Sequence, residues 1–205
     1  MGRLVIVLYQ NIDKTINNFE FYDDDYIVGV EKGANILLDL NIKYNLLIGD
    51  FDSVSNEEYD IIKSQDNVIK LNPIKDDTDL LSCLKRFDLS EFNEIIVLGG
   101  ITGNRVEHFY ANILLLRKYN FKMIDDNSVI FPIFSSINLN KANIRKYISF
   151  FALDNVDNLC LNGFKYNLSN YHLDVLDTVC ISNEILDNVG KITFDSGKLL
   201  CITSF

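Results

Sequence analysis

The chain has 205 residues, of which 48% are hydrophobic and 23% charged, a balance typical of a folded globular protein rather than a disordered one. The formal net charge is −10, so the chain lacks the basic surface field that attracts nucleic acid or an anionic membrane. We therefore expect neither a nucleic-acid nor a membrane partner, whereas phosphate chemistry stays open if divalent cations lie between carboxylates and phosphates.

The cysteines are scattered along the chain and include no Cys-x-x-Cys pair. They are Cys83, Cys160, Cys180 and Cys201. This spacing fits neither a zinc site nor a dense disulfide framework. The first apolar run, residues 4–9, is too short for the apolar region of a signal peptide and is interpreted as a strand. We expect a cytoplasmic protein.

Up to about residue 135, short β-branched runs alternate with stretches of helical periodicity, which predicts a mostly parallel sheet covered by helices. The predicted strands are residues 4–9, 26–30, 45–48, 68–71, 94–98 and 122–125. Ser55 and Glu58 have the spacing of a capping box at the start of one helix. Further helices are predicted to begin at Thr78 and near Arg105.

Beyond about residue 136, helical periodicity fades and short apolar runs lie between Asn, Asp and Gly residues. These runs predict antiparallel strands at residues 147–153, 158–161, 179–181, 191–194 and 199–203. The predicted fold class is therefore α/β plus all-β. Residues 1–135 would form an open, mostly parallel α/β sheet, and residues 136–205 an antiparallel β-sandwich.

A first cluster of polar residues contains Asp50 and Asp52, directly after the predicted strand 45–48. Residues two apart in an extended chain face the same side, so both carboxylates can face one cation. Mg²⁺ prefers such hard oxygen ligands. Because Asp, Gly and Ser are also common turn residues, a turn with solvated acids is the alternative interpretation.

A second cluster, Lys75-Asp76-Asp77-Thr78-Asp79, immediately precedes a helical pattern. Thr78 is a plausible N-cap, and acidic residues in a first turn are stabilised by the helix dipole, so a purely structural explanation is available. The cluster also follows a predicted parallel strand. This position would place it beside the first cluster at the carboxyl edge of the sheet.

A third cluster, Gly99 to His108, connects a strand to the helix near Arg105. Its glycines allow the backbone to approach a ligand closely, and the free amides of a helix start attract phosphate oxygens. Arg105 adds a forked donor suited to phosphate. The helix itself carries apolar residues at three- and four-residue spacing, which predicts a stripe facing the core. This stripe consists of Val106, Phe109, Tyr110, Ile113 and Leu114.

In their order and spacing, the three clusters resemble the motifs of the thiamine pyrophosphokinase family. Gly33-Ala34-Asn35, Gly163-Phe164-Lys165-Tyr166, Ser182-Asn183-Glu184 and the Gly197 to Leu200 segment are similar to further elements of that family, so the resemblance covers nearly the whole chain. Two positions depart from the family pattern, because Glu31 and Glu107 stand where the family usually has Asp. Each keeps a carboxylate and lengthens its reach by one methylene.

The resemblance implies an enzyme that transfers pyrophosphate from ATP to the hydroxyl of thiamine, giving thiamine diphosphate and AMP. It implies an ATP-binding catalytic domain at residues 1–135, a thiamine-binding and dimerisation domain at residues 136–205, and a homodimer. The implied catalytic residues are Asp50, Asp52, Asp79 and Glu107, of which the three aspartates would hold Mg²⁺. The implied ATP-binding residues are Gly33, Asn35, Asp76, Thr102, Gly103, Arg105, His108 and Asn112. Ser182 and Asn183 would contact thiamine.

Three alternatives remain open from the sequence. Asp50, Asp52 and Val54 also match the Asp-x-Asp-x-Val signature of haloacid-dehalogenase-type phosphohydrolases, in which the first Asp is a covalent nucleophile. That family usually carries the signature on its first strand, whereas here a strand–helix–strand–helix unit precedes it. The acceptor could also be another hydroxymethyl heterocycle, such as a pterin, or the chain could bind nucleotide or thiamine without turnover.

Overall fold

The computed structural model describes residues 2–103 and 105–205, so Asn104 of the third cluster lies outside the described part. The chain divides into two compact units. The first contains the residues through Leu115 together with Met123–Asp126, and the second contains Leu116–Lys122 and Asn127–Phe205. The sequence-based boundary after residue 135 lies within the second unit, and the assignment of a separate function to each domain remains a prediction.

The first unit is an open sheet with parallel pairing and accompanying helices. Its strands are β1 (Arg3–Val7), β2 (Tyr26–Val30), β3 (Leu46–Gly49), β4 (Val68–Lys70), β5 (Glu94–Leu98) and β6 (Lys122–Ile124). Its helices are α1 (Asp13–Asn18), α2 (Lys32–Asp39), α3 (Asn56–Lys63), α4 (Asp79–Leu84) and α5 (Val106–Leu116). The strand order is β4-β3-β2-β1-β5-β6, and each pair from β4 to β5 is parallel. The six predicted strands are therefore confirmed, with ends that differ by at most two residues.

The core of this sheet follows directly from its apolar strands. Residues Leu4 to Val7 of β1 are completely buried, and every residue of β3 is buried as well. Strands covered on both faces are expected to be continuously apolar rather than alternating, as these are. The sequence order places β1 between β2 and β5, so the chain reverses its direction of growth across the sheet at β1.

Local side-chain hydrogen bonds define the starts of α3 and α4. Ser55 Oγ accepts a hydrogen bond from the Glu58 amide at 3.2 Å, and the Glu58 carboxylate accepts one from the Ser55 amide at 2.6 Å. Thr78 Oγ1 accepts the Leu81 amide at 3.2 Å. Both predicted caps are confirmed. Among the described helices, none is long and apolar enough to cross a membrane.

The orientation of α5 differs from the prediction. Val106, Tyr110 and Leu114 of the apolar stripe are 73%, 62% and 51% exposed, so most of this stripe faces away from the core. The polar side chain of Asn112 is buried instead, and its amide donates a hydrogen bond to the Gly100 carbonyl at 3.0 Å. This bond removes the cost of burying a polar group, so periodicity alone did not identify the buried face.

The second unit is entirely antiparallel in its described pairings. Its strands are β7 (Ser128–Ile133), β8 (Ile137–Asn140), β9 (Tyr147–Asn162), β10 (Leu168–Leu173), β11 (Val189–Thr193) and β12 (Ser196–Ser204). The long strand β9 pairs with β12 over its first part and with β10 and β11 over its last part, so it belongs to two sheets. Side chains from both sheets form one apolar core, which includes Phe150, Leu159 and Leu199. The predicted fold class is confirmed.

Individual strands of this unit were predicted less well. The runs at residues 147–153 and 158–161 belong to the single strand β9, because the residues between them continue the pairing with β12 and β10. Residues 179–181 form no strand but a turn and bend, in which Cys180 is buried and its carbonyl accepts the Phe150 amide. Strands β7, β8 and β10 were not predicted from the sequence.

Candidate active site

The carboxyl ends of β2, β3 and β4 lie at one edge of the first unit, and an acidic residue follows each of them. Glu31 comes directly after β2, Asp50 directly after β3, and Asp79 begins the helix that follows β4. Because the three strands are adjacent and parallel, these acidic residues lie close together. One carboxylate oxygen from each residue lies within 4.8 Å of the other two.

The donor chemistry of this carboxylate triad, Glu31, Asp50 and Asp79, fits a divalent cation. Carboxylate oxygens are the ligands that Mg²⁺ prefers. Asp79 Oδ1 is buried, and its partner in the unliganded site is Lys75 Nζ at 2.9 Å. The residues present therefore fit the cation that the sequence predicts.

Lys75 is the positive charge inside the site. Its ammonium group lies 2.6 Å from Asp50 Oδ2 and bridges this carboxylate to Asp79. Burial opposes the charge of Lys75, but the contacts with the two carboxylates are stronger and raise its pKa. Burial likewise opposes ionisation of Asp50, yet the hydrogen bonds from Lys75 and the Asp52 amide lower the pKa of Asp50. The sequence placed Lys75 beside the acids without assigning it a role.

Glu31 is the triad member that the sequence marked only as a Glu where the family usually has Asp, without assigning it as a ligand. Its carboxylate accepts hydrogen bonds from the Phe51 amide at 2.9 Å and from the Ser53 hydroxyl at 3.2 Å. Burial raises the pKa of Glu31 to about 7; the Phe51 amide opposes this rise, and the negative charges of Asp79 and Asp50 add to it. The available signal was its place at the carboxyl end of a predicted strand.

The position of the Glu31 carboxylate depends on the backbone at Gly49 and at Glu31 itself. A Cβ atom at Gly49 would lie 2.2 Å from Glu31 Oε1, so any larger residue there would displace the carboxylate. Glu31 itself has a positive φ of 52°, a conformation that costs energy for a residue with a side chain. This strained, close-packed arrangement aims the longer Glu side chain across β3 toward Phe51 and Ser53.

Asp52 and Asp76 are not part of the triad. Phe51 has a positive φ of 58°, so the chain is not extended between Asp50 and Asp52, and the expected same-side arrangement does not form. The Phe51 ring is buried beside Tyr59, whereas Asp52 is exposed. Asp76 is also exposed. Their predicted roles at the metal and at ATP therefore remain predictions without support from this geometry.

The loop after β5 contains Thr102 and Gly103, and Asn112 of α5 contacts the same loop at Gly100. Gly99 and Gly100 have positive φ values of 91° and 73°, which glycine adopts without steric cost. The Thr102 hydroxyl donates a hydrogen bond to Asp125 at 3.2 Å. Asn112 holds the Gly100 carbonyl, as described above, so its amide nitrogen already serves the loop rather than a ligand.

At the start of α5, Arg105, Glu107 and His108 are exposed. Arg105 Nε and Glu107 Oε1 form an ion pair at 2.8 Å, and the hydrogen bond from Arg105 lowers the pKa of Glu107. Both side chains are 66% exposed, so the pair contributes little to stability and either side chain can turn toward a ligand.

In α2, Gly33 and Asn35 have different surroundings. A Cβ atom at Gly33 would lie 1.9 Å from the Val7 carbonyl oxygen, so glycine is required for the close packing of α2 on β1. Asn35 Oδ1 is buried and has no hydrogen-bond partner, so it could accept a hydrogen bond from a ligand. The structure thus gives Gly33 a packing role and leaves Asn35 as an open acceptor.

In the second unit, Ser182 and Asn183 follow the turn at residues 179–181. Ser182 is exposed and has a positive φ of 55°. Asn183 is only 2% exposed, and its side chain accepts the Tyr166 and Glu184 amides and donates to the Tyr166 carbonyl. Its side chain therefore holds the 166 loop, and Ser182 is the more accessible of the two predicted thiamine contacts.

Comparison with known proteins finds similarity to one enzyme family along most of the chain. A family model described as the thiamin pyrophosphokinase catalytic domain matches residues 20–125, and one described as the thiamin pyrophosphokinase vitamin B1 binding domain matches residues 135–199. Thiamine pyrophosphokinase of Bacillus subtilis (strain 168) is 36% identical over 194 residues, which is 89% of this chain and 90% of the relative.

Solved structures show the same similarity. The crystal structure of thiamine pyrophosphokinase from Bacillus subtilis aligns with a TM-score of 0.87 and 30% identity, covering 100% of this chain and 99% of the other. Thiamin pyrophosphokinase from Geobacillus thermodenitrificans aligns with a TM-score of 0.85 and 25% identity, covering 100% and 98%. With matching models over most of its length and a relative this similar, the chain belongs to the thiamin pyrophosphokinase family.

Proposed function

We propose that this chain transfers a pyrophosphoryl group from ATP to the hydroxyl group of thiamine, forming thiamine diphosphate and AMP. The observation that carries the proposal is the carboxylate triad at the carboxyl edge of the parallel sheet, in a chain that belongs to the thiamin pyrophosphokinase family. Pyrophosphoryl transfer is chiefly a task of positioning and charge neutralisation, which suits such a site.

Mg²⁺ is the proposed cation, held by Glu31, Asp50 and Asp79. When bound, the ion would neutralise phosphate oxygens and favour departure of AMP. Asp52 stays a predicted fourth ligand. The triad differs from the sequence prediction because it includes the carboxylate of Glu31, which follows the carboxyl end of β2 at the same edge of the sheet.

The protein groups around the triad supply the remaining charges. Lys75 contacts Asp50 and Asp79. We propose that its ammonium group binds a phosphate oxygen in place of one of these carboxylates when ATP is bound. The exposed Arg105 offers a forked donor to phosphate, and Glu107 is the proposed group that orients the attacking hydroxyl. Thr102 and Gly103 lie in the loop after β5, just before Arg105, and their amides are the proposed donors to phosphate oxygens.

For the acceptor, Ser182 is the proposed thiamine contact, and Asn183 holds the loop around it. The second unit matches a domain whose family description names vitamin B1 binding, which favours thiamine over another hydroxymethyl heterocycle. The sequence-based resemblance further implies a homodimer and a cytoplasmic location, and we retain both as proposals. A molar-mass measurement by light scattering tests the dimer, since the monomer has a mass of 23.5 kDa.

The proposal is tested by measuring AMP formation with ATP, MgCl₂ and thiamine, and by omitting thiamine and metal in turn. We expect AMP only when all three are present. Replacing thiamine with a hydroxymethylpterin separates the two acceptor classes. AMP formation that depends on the pterin instead of thiamine would contradict the proposed acceptor.

Three variants test the assignment of the metal ligands. Asp50→Asn should reduce the rate at least about a hundredfold, because it removes a charged ligand from the reacting site. Asp52→Asn should reduce it less, since Asp52 lies outside the triad. Asp60→Asn, on the exposed face of α3, is the matched control and should behave like the unmodified protein. Equal losses from Asp50→Asn and Asp52→Asn would contradict the triad as drawn.

A further inference from the structure

Asp125, at the end of β6, is a buried acidic residue for which the proposed mechanism has no use. Its side chain is completely inaccessible to solvent. Its Oδ2 atom accepts a hydrogen bond from Asn11 Nδ2 at 2.9 Å and another from Thr102 Oγ1 at 3.2 Å. Burying a carboxylate is costly unless several donors surround it, so a position such as this one needs an explanation.

The two donors come from different loops. Asn11 lies in the loop between β1 and α1, and Thr102 lies in the glycine-containing loop after β5. Strands β1 and β5, which precede these loops, pair directly with each other. The Leu8 amide extends this pairing beyond the end of β1 by donating to the Leu98 carbonyl at 2.9 Å. A single carboxylate therefore joins the two loops that leave the carboxyl ends of neighbouring parallel strands.

These loops lie at the point where the strand order reverses. From β1 the sheet grows through β2 to β4 on one side, and then continues with β5 on the other side of β1. In open α/β sheets, ligands bind outside the carboxyl ends of the strands at this switch point, where two neighbouring loops diverge. Asp125 accepts a hydrogen bond from each of the two loops at that position.

The backbone of the Asn11 loop is strained and packs closely against the Thr102 loop. Gln10 and Asn11 have consecutive positive φ values of 80° and 52°. A Cβ atom at Gly103 would lie 1.6 Å from Gln10 Oε1, so Gly103 leaves the space that the Gln10 side chain occupies. The Asp126 amide also donates to the Asn11 carbonyl at 2.9 Å. Such strain persists only where surrounding contacts hold it, and it concentrates at binding sites.

We infer that Asp125 is a positioning residue for nucleotide binding: it holds the Asn11 loop and the Thr102 loop at the spacing that receives the phosphates of ATP. A carboxylate suits this task because it accepts from several donors and offers none that would compete. The inference rests on the proposed function, because it takes ATP as the ligand of this edge of the sheet. It adds Asp125 and Asn11 to the residues on which ATP binding depends.

The test compares Asp125→Ala, Asn11→Gly and the double variant by calorimetric titration with ATP in the presence of MgCl₂. Glycine tolerates the positive φ of position 11, so Asn11→Gly removes the donor without adding backbone strain. We expect Asn11→Gly to bind ATP about tenfold more weakly, the effect of losing one hydrogen bond to a charged group, and Asp125→Ala to bind it more weakly still, because this variant also loses the Thr102 bond. The double variant should bind no more weakly than Asp125→Ala alone, and thiamine affinity should be unchanged.

Asp126→Ala is the matched control. The neighbouring Asp126 accepts the Thr15 amide at 2.7 Å and the Lys14 amide at 3.2 Å at the start of α1, so its loss should lower the melting temperature without changing ATP affinity. If Asp125→Ala does not fold, Asn11→Gly alone carries the test.

Wild-type ATP affinity in Asn11→Gly, or independent, multiplying effects of the two substitutions, would overturn the inference. It fails separately from the proposed function: absence of AMP formation despite normal ATP binding would refute the reaction while leaving the positioning role measurable.

Discussion

Glu31→Gln is expected to stabilise the metal-free protein at pH 8 while weakening its affinity for Mg²⁺. Glu31 is half-buried between two other carboxylates, and its pKa is raised from 4.5 to about 7, first by burial and then by the charges of Asp79 and Asp50. At pH 8 the side chain is therefore ionised at a site that disfavours its charge. A neutral glutamine of nearly the same shape removes this cost and can still accept the Phe51 amide.

The size of the effect follows from proton linkage. The folded protein holds the Glu31 proton more tightly than the unfolded chain, so the free energy of unfolding falls as the pH rises between about 4.5 and 7. The difference between the folded and the unfolded pKa of Glu31 corresponds to about 3 kcal/mol of unfolding free energy. Solvent screening at this half-buried site lowers the expected effect to about 2 kcal/mol. Below pH 4.5 the two proteins should be equally stable.

The assay is chemical denaturation in EDTA at pH 4.5 and pH 8, followed by circular dichroism because the chain has no tryptophan. Exposed Glu57→Gln is the control for loss of one negative charge and should change stability little at either pH. A Glu31→Gln protein that gains no stability at pH 8, or gains the same amount at both values, would refute the reasoning. Adding MgCl₂ should raise the midpoint of the unmodified protein more than that of the variant.

Three further predictions concern charges and caps. Lys75→Met removes the ammonium group that neutralises Asp50 and Asp79, so Mg²⁺ should bind the free protein about tenfold more tightly by calorimetry; unchanged affinity would mean that Lys75 does not compete with the ion. Ser55→Ala removes the capping box of α3 and should cost about 1 kcal/mol in denaturation experiments while leaving the KM for ATP unchanged. Burial disfavours the charge of Asp25, but the hydrogen bonds from Arg3 and the Tyr22 amide lower its pKa, so its contribution is present above the unfolded pKa and lost as the pH falls through the folded value. Asp25→Asn should therefore destabilise the protein at pH 7 by about 3 kcal/mol, and by less in acid; a pH-independent difference would contradict this.

Elements whose signals are local could be predicted from the sequence. The capping box at Ser55 and the cap at Thr78 depend on residues three apart, and both formed as expected. Strands β1 and β3 have nearly continuous apolar, buried residues because both faces of the sheet are covered there, and this made them recognisable. In the second unit, residues 147–153 and 158–161 were predicted as two strands, yet they belong to the single strand β9, since residues between them also pair with β10 and β12.

The sequence by itself determined the family, the two kinds of sheet and the strand ends that carry acidic residues, because motif order and apolar periodicity are properties of neighbouring residues. Only the tertiary structure decided which carboxylates meet. The positive φ of Phe51 separates Asp52 from Asp50, and the reach of Glu31 across Gly49 completes the triad. Burial of Asn112 instead of the apolar stripe of α5, and the junction of two loops by Asp125, likewise depend on hydrogen bonds between residues distant in the chain. Such bonds offset the cost of burying polar groups, and a local sequence pattern does not predict them.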